Sequence, residues 1–503
     1  MRWLALLLLP AVGCGPVGVE PDALGLHHGE LLAGVRPTSP SASLPRFEPD
    51  EQVESAVSPG GGFRIHFTRG GPNAVPAADA DGNGIPDAVD VVAGTYDRVS
   101  AFYASLGYLP PPGDSWLTEG NGGDGLFDVY LVDFARRADG AFRLDGCQEP
   151  ETRCTGHMLQ ENDFAGYSYR SYAEAVDTLA SHEFFHAVQA AYHPGLGNIA
   201  SEGTAVWATE RFSPALEDLE HFTSAYMERP DRSLVVDPDG PGTFSYGSSL
   251  FFQFLSERFG DRVILSMWEE STRTPAVLWP SLVDTVLRRE WSADFDVAFA
   301  EFAQWNLATG SRARQGQGYA RGEGYAELSP TPKSFPVDEA SVRVAAASTR
   351  YFEVEGGAES VSVSFQPTED AEPGALHLLV AAEGNGELRV VRADGPGPLV
   401  AQVSATDATR VVVAVVDGRH QGLGRYGRLC IADIATSTPC ELPSNEPSAP
   451  DASGGCQSAP GGVSWALPLI LLLGWLRKAA PAPSGPASSR ESPPRRSRRR
   501  SGS

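Results

Sequence analysis

The chain has 503 residues, 42% of them hydrophobic, and a formal net charge of −25 at pH 7. A chain of this length exceeds one ordinary hydrophobic core and predicts two folded domains with tails. So large an acidic excess argues against a nucleic-acid-binding protein, because its surface would repel the phosphate backbone. An acidic surface is better suited to binding calcium ions or cationic partners.

The first 13 residues have the features of an export signal peptide. Arg2 supplies the positive charge, and an apolar run from Trp3 to Val12 follows it. The sequence Ala11-Val12-Gly13-Cys14 is similar to a lipobox, so Cys14 is a candidate for lipidation, with cleavage alone as the alternative. Residues 14–60 are rich in Pro, Ser, Glu and Gly and are expected to form a linker or a pro-region.

Hydrophobic patterns predict an α+β domain over residues 61–335. Short runs rich in apolar residues indicate strands at 63–67 and 128–133. Apolar residues at helical spacing indicate helices at 89–106, 172–192, 202–211, 248–259 and 281–305.

An acidic loop at residues 79–90 has the ligand spacing of an EF-hand calcium site. The predicted ligands are Asp79, Asp81, Asn83, Ile85 through its carbonyl, Asp87 and Asp90. The spacing resembles that of dockerin and thrombospondin loops, which implies structural calcium; a turn without metal is the alternative. Asp124 and Asp128 could serve a second ion, although a glycine-rich turn before a strand explains them equally well.

Four cysteines fall in two close pairs, Cys147 with Cys154 and Cys430 with Cys440. Such spacing in an exported chain predicts two local disulfides in an oxidising compartment. This spacing is less consistent with a zinc site made of thiolates, because such sites place their cysteines closer together in the sequence.

The predicted helix at 172–192 carries the motif His182-Glu183-Phe184-Phe185-His186. Ser171 and Glu174 make a capping box at its start. Histidines four residues apart on a helix project from one face, so both can bind one metal ion, and Glu183 lies beside that face as a candidate general base and acid. The motif predicts a zinc site; two solvated or core histidines are the alternative.

A catalytic zinc ion needs a third protein ligand and an open position. Glu202, in the next predicted helix, is the candidate, whereas Glu210 is expected at the surface or behind the ligands. A metzincin site is disfavoured, because Gln189 and Tyr192 stand where that pattern has Gly and His. His193 is one residue off that register.

The His-Glu-x-x-His helix followed by Ser201-Glu-Gly-Thr-Ala-Val-Trp207 resembles the gluzincin peptidases, although Ser201 stands where their helix has Asn. Segments 122–133, 180–189 and 202–207 are also similar to a bacterial family of secreted metallopeptidases. The resemblance implies a zinc peptidase whose oxyanion is stabilised by a downstream Tyr or His. Tyr246 is the first candidate for that role and His221 the second; an ordinary buried tyrosine is the alternative.

Beyond residue 340 the sequence consists of short β-branched runs separated by Gly, Asp and Pro. The runs lie at 342–344, 351–354, 361–365, 376–381, 388–391 and 411–415. Turns at intervals of about ten residues are typical of a β-sandwich, which we expect over residues 340–440.

The carboxyl-terminal tail has three parts: a Pro/Ser/Gly linker at 441–462, a short apolar segment at 463–476 and a basic tail at 477–503. The apolar segment is shorter than the roughly 20 residues that span a bilayer. With Cys456 before it, the tail resembles the MYXO-CTERM sorting signals of myxobacterial surface proteins, which implies processing at Cys456 and display on the cell surface. A plain tail anchor is the alternative.

Together these features predict an exported or surface-anchored zinc endopeptidase that acts on protein or peptide substrates. The alternative is a non-catalytic surface adhesion or binding protein that has a decayed peptidase domain and uses the β-sandwich for binding. The intact triplet His182, Glu183 and His186 favours the enzyme.

Overall fold

A five-stranded sheet lies at the centre of the amino-terminal part of the protein. A computed structural model describes residues 35–118, 120–148, 153–238, 242–356, 358–368 and 376–434. The strands are β1 (Glu54–Val57), β2 (Phe63–Phe67), β3 (Phe127–Val132), β4 (Gly140–Gln148) and β5 (Arg153–Glu161). Their order is β1-β2-β3-β5-β4, with β2, β3 and β5 parallel and both edge strands antiparallel to their neighbours.

A group of helices covers one face of this sheet, and the first two of them contact its strands directly. The helices are α1 (Asp87–Ser105), α2 (Tyr172–Ala190), α3 (Asn198–Phe212), α4 (Asp218–Met227), α5 (Thr243–Gly247), α6 (Ser249–Phe259), α7 (Arg262–Arg273), α8 (Trp279–Glu290) and α9 (Phe295–Trp305). Because side chains of a strand alternate between faces, Ile65, Val129 and Met158 join the core beneath the helices, whereas Tyr130 and Leu159 belong to a smaller cluster on the other face.

The described part of the predicted linker, residues 35–60, packs against the sheet. Phe47 joins Tyr130 and Leu159 in the smaller cluster. The guanidinium of Arg36 is 5% exposed and forms ion pairs at 2.7 to 3.0 Å with three buried carboxylates: Asp114, Asp128 and Asp145. This segment therefore differs from the expected linker, because Phe47 is buried in a cluster with strand residues and Arg36 is paired with three carboxylates of the fold.

The carboxyl-terminal part is built from two sheets. The strands are β6 (Thr331–Lys333), β7 (Val337–Val344), β8 (Ser348–Glu355), β9 (Ser360–Pro367), β10 (Leu376–Gly384), β11 (Glu387–Gly395), β12 (Leu399–Ser404), β13 (Arg410–Asp417) and β14 (Arg425–Asp433). One sheet has the order β11-β10-β13-β8-β6 and the other β12-β9-β14-β7. Apolar residues of both sheets, including Val354, Val363, Val413 and Ile431, form a shared core.

The five-stranded sheet of this sandwich also packs against the helices. Its second face contributes Tyr351, Leu379, Val412 and Ala414 to the helical core. The Tyr351 hydroxyl donates to the carbonyl of Ala303 on α9 at 2.8 Å. The described residues all belong to one compact unit. No helix among the described residues is both long and apolar enough to cross a bilayer.

Several elements differ from the sequence prediction. The single helix expected at 281–305 is two helices, because the chain turns after Glu290 and Asp294 caps α9 by accepting from the amide of Val297. Helices α4 and α7 and strands β4, β5, β12 and β14 were not predicted. The export signal at 1–13, Cys14, Cys440, Cys456 and the tail segments 441–462, 463–476 and 477–503 lie outside the described residues.

One of the two predicted disulfides is confirmed: Cys147 on β4 is bonded to Cys154 on β5. The two residues face each other across the antiparallel pair. Cys430 lies on β14, and because Cys440 is outside the described residues, their pairing stays a prediction.

Candidate metal centre

Helix α2 presents His182 and His186 on one face. The Ser171 hydroxyl accepts a hydrogen bond from the amide of Glu174 at 3.1 Å, so the predicted amino-terminal cap is present. Phe185 and Val188, on other faces of the helix, are buried in the core and fix its orientation. The two imidazole rings therefore lie one turn apart, with their centroids separated by 5.0 Å.

Helix α3 packs against α2 and brings Glu202 to the two histidines. The Glu202 Oε2 atom lies 3.2 Å from His182 Nε2 and 3.3 Å from His186 Nε2. One potential ligand atom from each of the three side chains lies within 4.8 Å of the others. Two imidazole nitrogens and a carboxylate that converge on one point form a donor set suited to catalytic zinc.

The electrostatics of this group favour a positive charge at its centre. Burial lowers the pKa of His186, but Glu202 outweighs burial and raises this pKa to about 9. Burial likewise opposes protonation of His182, yet its hydrogen bond to Glu202 raises the pKa of that ring. Although burial acts to raise the pKa of Glu202, the two imidazoles hold it well below its usual value. A divalent cation would satisfy the same carboxylate.

Gln189, on the same helix, fixes the orientation of His186. Its Oε1 lies 2.9 Å from His186 Nδ1, and its amide nitrogen donates to the carbonyl of Ser201 at 2.8 Å and to the hydroxyl of Thr204 at 3.0 Å. Because that amide nitrogen already has acceptors, Oε1 accepts from Nδ1 and leaves Nε2 of His186 free to bind a metal. In the sequence, Gln189 marks a mismatch to the metzincin pattern and the end of the segment 180–189, and neither feature predicts its contact with His186.

Glu183 lies next to the metal-binding residues and contacts the edge strand. Its Oε2 accepts a hydrogen bond from the amide of Phe142 on β4 at 2.9 Å. Burial raises the pKa of Glu183, although His186 and His182 act to lower it. The structure therefore brings a proton-accepting carboxylate, two imidazoles and the outer edge of a sheet together.

Tyr246 on α5 lies beside the same group. Its ring stacks on His182 with centroids 5.7 Å apart and on Phe222 with centroids 4.9 Å apart. Burial, followed by the negative charge of Glu202, raises the pKa of Tyr246 well above its usual value, so the hydroxyl stays protonated. His221, the second candidate for oxyanion stabilisation, is exposed on α4 beside Phe222.

Asp218, at the start of α4, was not found by sequence analysis. Burial raises its pKa to about 6, whereas His182 and then His221 act to lower it. Its Oδ2 atom is buried and has no hydrogen-bond partner among the described residues. Asp218 lies far from the His-Glu-x-x-His motif along the chain and belongs to no motif, so only the packing of α4 reveals it.

Two other candidate residues lie outside the metal-binding group. Glu210 is 3% exposed and forms an ion pair with Arg321 at 2.8 Å, so the expectation of a surface position was wrong. Eight residues along α3 separate it from Glu202 by about 12 Å. The Nε2 atom of His193 lies 3.1 Å from the carbonyl of Pro275.

The acidic loop at 79–90 brings together three of its six predicted calcium ligands: Asp79, Asp81 and Asp87. The side-chain amide of Asn83 donates to Asp81 at 3.1 Å and to Asp90 at 3.0 Å. Its oxygen accepts from the amide of Ile85 at 2.6 Å, so it is directed toward the main chain.

The two carboxylates considered for a second ion instead pair with arginines. Asp124 pairs with Arg64, and Asp128 with Arg36. The glycine-rich turn before β3 therefore accounts for both residues, and we assign them no ion.

Comparisons with known proteins add no assignment. No family model matches the sequence, and no curated protein matches it. The chain is similar to the pre-peptidase C-terminal domain of collagenase from Bacillus anthracis, with 11% identity, a TM-score of 0.17, and coverage of 20% of this chain and 94% of that one. A family GH115 4-O-methyl-alpha-glucuronidase has 10% identity, a TM-score of 0.13, and coverage of 65% of this chain and 54% of that one. We infer nothing from similarities this low.

Proposed function

We propose that the protein is an exported, zinc-dependent endopeptidase of gluzincin type. The observation that carries the proposal is the convergence of His182, His186 and Glu202 on one point, with Glu183 beside them. The disulfide between Cys147 and Cys154 supports an oxidising, extracytoplasmic location. Anchoring at the cell surface or outer membrane, through Cys14 or through the carboxyl-terminal tail, is part of the same proposal.

The three converging side chains would hold the zinc ion. A bound zinc ion supplies Lewis acidity, which lowers the pKa of a coordinated water from 15.7 to about 7. Gln189 accepts from Nδ1 of His186, so a metal ion would replace only the proton on Nε2, and Glu202 contributes the negative charge that balances a cation. Both features lower the cost of assembling the site.

Glu183 would act as the general base and acid. Burial moves the pKa of this carboxylate toward neutral pH, and a group whose pKa is near the working pH can both accept and return a proton. In peptide hydrolysis it would take the proton of the attacking water and deliver it to the nitrogen of the leaving amine. The carbon–nitrogen bond then breaks, and the carboxyl and amine products separate.

Tyr246 would stabilise the oxyanion that forms on the scissile carbonyl. Its phenol stays protonated, and the ring is fixed between His182 and Phe222. A fixed donor at this position needs no reorganisation during the reaction, which is how oxyanion stabilisation lowers a barrier.

The sheet edge beside Glu183 favours an extended substrate. Strand β4 is the outermost strand of its sheet, and the Phe142 amide on its outer side contacts Glu183. An extended peptide can add to such an edge through main-chain hydrogen bonds, with little demand on side-chain identity. This arrangement suits cleavage within a chain, and it supports an endopeptidase with protein or peptide substrates.

Structural calcium in the 79–90 loop is a second part of the proposal. Asp79, Asp81 and Asp87 already lie close together without an ion. Rotation of the Asn83 side chain would turn its oxygen from the Ile85 amide toward these carboxylates and add a fourth ligand, and binding of calcium would have to draw in Asp90 and the Ile85 carbonyl. The loop leads directly into α1, so calcium would stabilise the start of that helix.

Cleavage of casein by the purified protein tests the proposed activity. A chelator such as 1,10-phenanthroline should abolish cleavage, and added zinc should restore it. Glu183→Gln should keep the zinc content and reduce the rate about 100- to 10,000-fold, because a general base contributes that much. Equal cleavage by both proteins would remove the role of Glu183, whereas equal inertness with one zinc bound per chain would favour the non-catalytic binding protein instead.

A further inference from the structure

Helix α3, which carries Glu202, begins without a capping side chain of its own. The residue before it is Gly197, whose φ of 99° is unfavourable for other residues. The first two amides of the helix, those of Asn198 and Ile199, donate instead to the carboxylate of Asp237 at 2.9 and 3.0 Å. Asp237 therefore supplies the amino-terminal cap from a distant part of the chain.

Gly197 also makes room for this cap. A Cβ atom at Gly197 would lie 3.1 Å from the Asp237 carboxylate, closer than ordinary van der Waals contact. The side-chain amide of Asn198 donates to the carbonyl of Pro238 at 3.0 Å and adds a second link to the same segment. The start of α3 is thus fitted to residues 237 and 238.

The segment that carries Asp237 is held by the β-sandwich. The hydroxyl of Ser233 donates to the carbonyl of Ala346 at 2.5 Å, and the amide of Leu234 donates to the carbonyl of Ala347 at 3.1 Å. In return, the amide of Thr349 donates to the carbonyl of Pro230 at 2.8 Å. These bonds join residues 230–234 to the turn between β7 and β8 and to the start of β8, and Asp237 follows three residues later.

The cap lies close to the metal-binding residue. Glu202 follows Ile199 by three residues, so less than one helical turn separates its main chain from the capped amides. The next residue, Gly203, is tightly packed, because a Cβ atom there would lie 2.5 Å from the hydroxyl of Ser248. The contact at Gly203 fixes one side of α3. The position of its first turn then depends on the cap.

We infer that Asp237 is a positioning residue for Glu202, and that the β-sandwich fixes Asp237 through residues 230–237. This inference rests on the proposed metal centre and extends it. The sandwich then contributes to the site without touching it, because its β7–β8 turn holds the segment that caps the ligand-bearing helix.

Three variants of the full-length mature protein test the inference: Asp237→Ala, Asp237→Asn and the control Glu228→Ala. Glu228 is an exposed acidic residue just before the segment. Hydrogen exchange at residues 197–203 of the metal-free protein reports the cap itself, and competition with a chelating dye reports zinc affinity.

We expect Asp237→Ala to accelerate exchange at residues 197–203 about 2- to 30-fold, the range that loss of a helix cap produces. Its zinc affinity should fall about tenfold, within the range that connected networks transmit. Asp237→Asn should restore part of both properties, because its single side-chain oxygen can accept from only one of the two amides. Glu228→Ala should resemble the wild type.

Each other outcome overturns a distinct claim. Unchanged exchange in Asp237→Ala would show that the residue is not the cap. Faster exchange with unchanged zinc affinity would show that the cap does not position Glu202. If the wild-type protein bound no zinc, the proposed metal centre would fail as well, whereas the exchange data would still report whether Asp237 caps α3.

Discussion

The metal-binding properties of the site depend on which nitrogen of His186 carries a proton. Gln189 settles this, because its Oε1 accepts from Nδ1 and its amide nitrogen is already occupied by Ser201 and Thr204. Such partners of metal-binding histidines maintain ligand orientation and basicity. We therefore expect Gln189 to influence zinc affinity without being a ligand itself.

We predict that Gln189→Leu lowers zinc affinity about 10- to 100-fold, the usual cost of losing such a partner. Leucine has a similar size but cannot accept the Nδ1 proton. Titration of the metal-free protein against a chelating dye would measure the change. Gln189→Glu keeps an acceptor and serves as the control; unchanged affinity in the leucine variant would remove this role from Gln189.

At this scale, the sequence predicted the residues that belong to a motif. His182, Glu183 and His186 share one helical face through their spacing, and the structure brings Glu202 to them. Gln189 and Asp218 could not be assigned, because their roles arise from contacts between helices. Tyr246 was found only through a resemblance.

Two predictions concern individual elements. The first is that the loop before α1 binds calcium. Calcium at about 100 times its Kd should raise the unfolding free energy by about 2.7 kcal/mol, because it binds only the folded loop. Thermal melting with and without calcium measures this effect. The double variant Asp79→Ala/Asp87→Ala should melt at one temperature under both conditions; a wild-type melting curve indifferent to calcium would exclude the site.

The buried carboxylate of Glu210 on α3 should make stability depend on pH. Burial, with repulsion from Glu220, raises its pKa from 4.5 to about 7, although Arg321 acts in the opposite direction. Between these values the folded protein keeps a proton that the unfolded chain has released. The unfolding free energy should therefore fall as the pH rises from 4.5 to 7.

Glu210→Gln mimics the protonated form and should reduce this fall, to which Asp218 also contributes. The variant should exceed the wild type by roughly 1–3 kcal/mol at pH 8 and match it near pH 4.5. Urea unfolding at the two pH values gives the comparison. Parallel pH curves for both proteins would show that Glu210 does not cause the dependence.

Among the elements, strongly periodic segments such as α1, α2 and β2 were predicted close to their bounds. The break between α8 and α9 was missed, because apolar residues continue through it and only the cap at Asp294 marks it. Strands β4 and β5 contain many polar and glycine residues, and their pairing and disulfide define them more clearly than hydrophobicity does.

In the molecule as a whole, the sandwich shares a core with the helices. Alternate residues of β10 show this, because Leu378 belongs to the core between the two sheets and Leu379 to the core beneath the helices. Composition indicated two domains, but which sheet face meets the helices depends on long-range packing that composition does not encode.

We predict that the helical part and the sandwich unfold together in a single transition. Both Leu378→Ala and Leu379→Ala should lower its midpoint, each at a cost of about 2–5 kcal/mol for a buried leucine. Calorimetry, with helical signal and zinc release followed in parallel, would check this. Two separate transitions, with Leu378→Ala shifting one of them alone, would show that the sandwich is independent.

The central claim is that His182, His186 and Glu202 form a zinc site. Metal analysis of protein refolded with zinc, followed by extensive dialysis, tests it most directly. We predict one zinc per chain in the wild type and none in the triple variant His182→Ala/His186→Ala/Glu202→Ala, with the fold of both checked by circular dichroism. A wild-type protein without zinc, or a folded triple variant that retains it, would contradict the account.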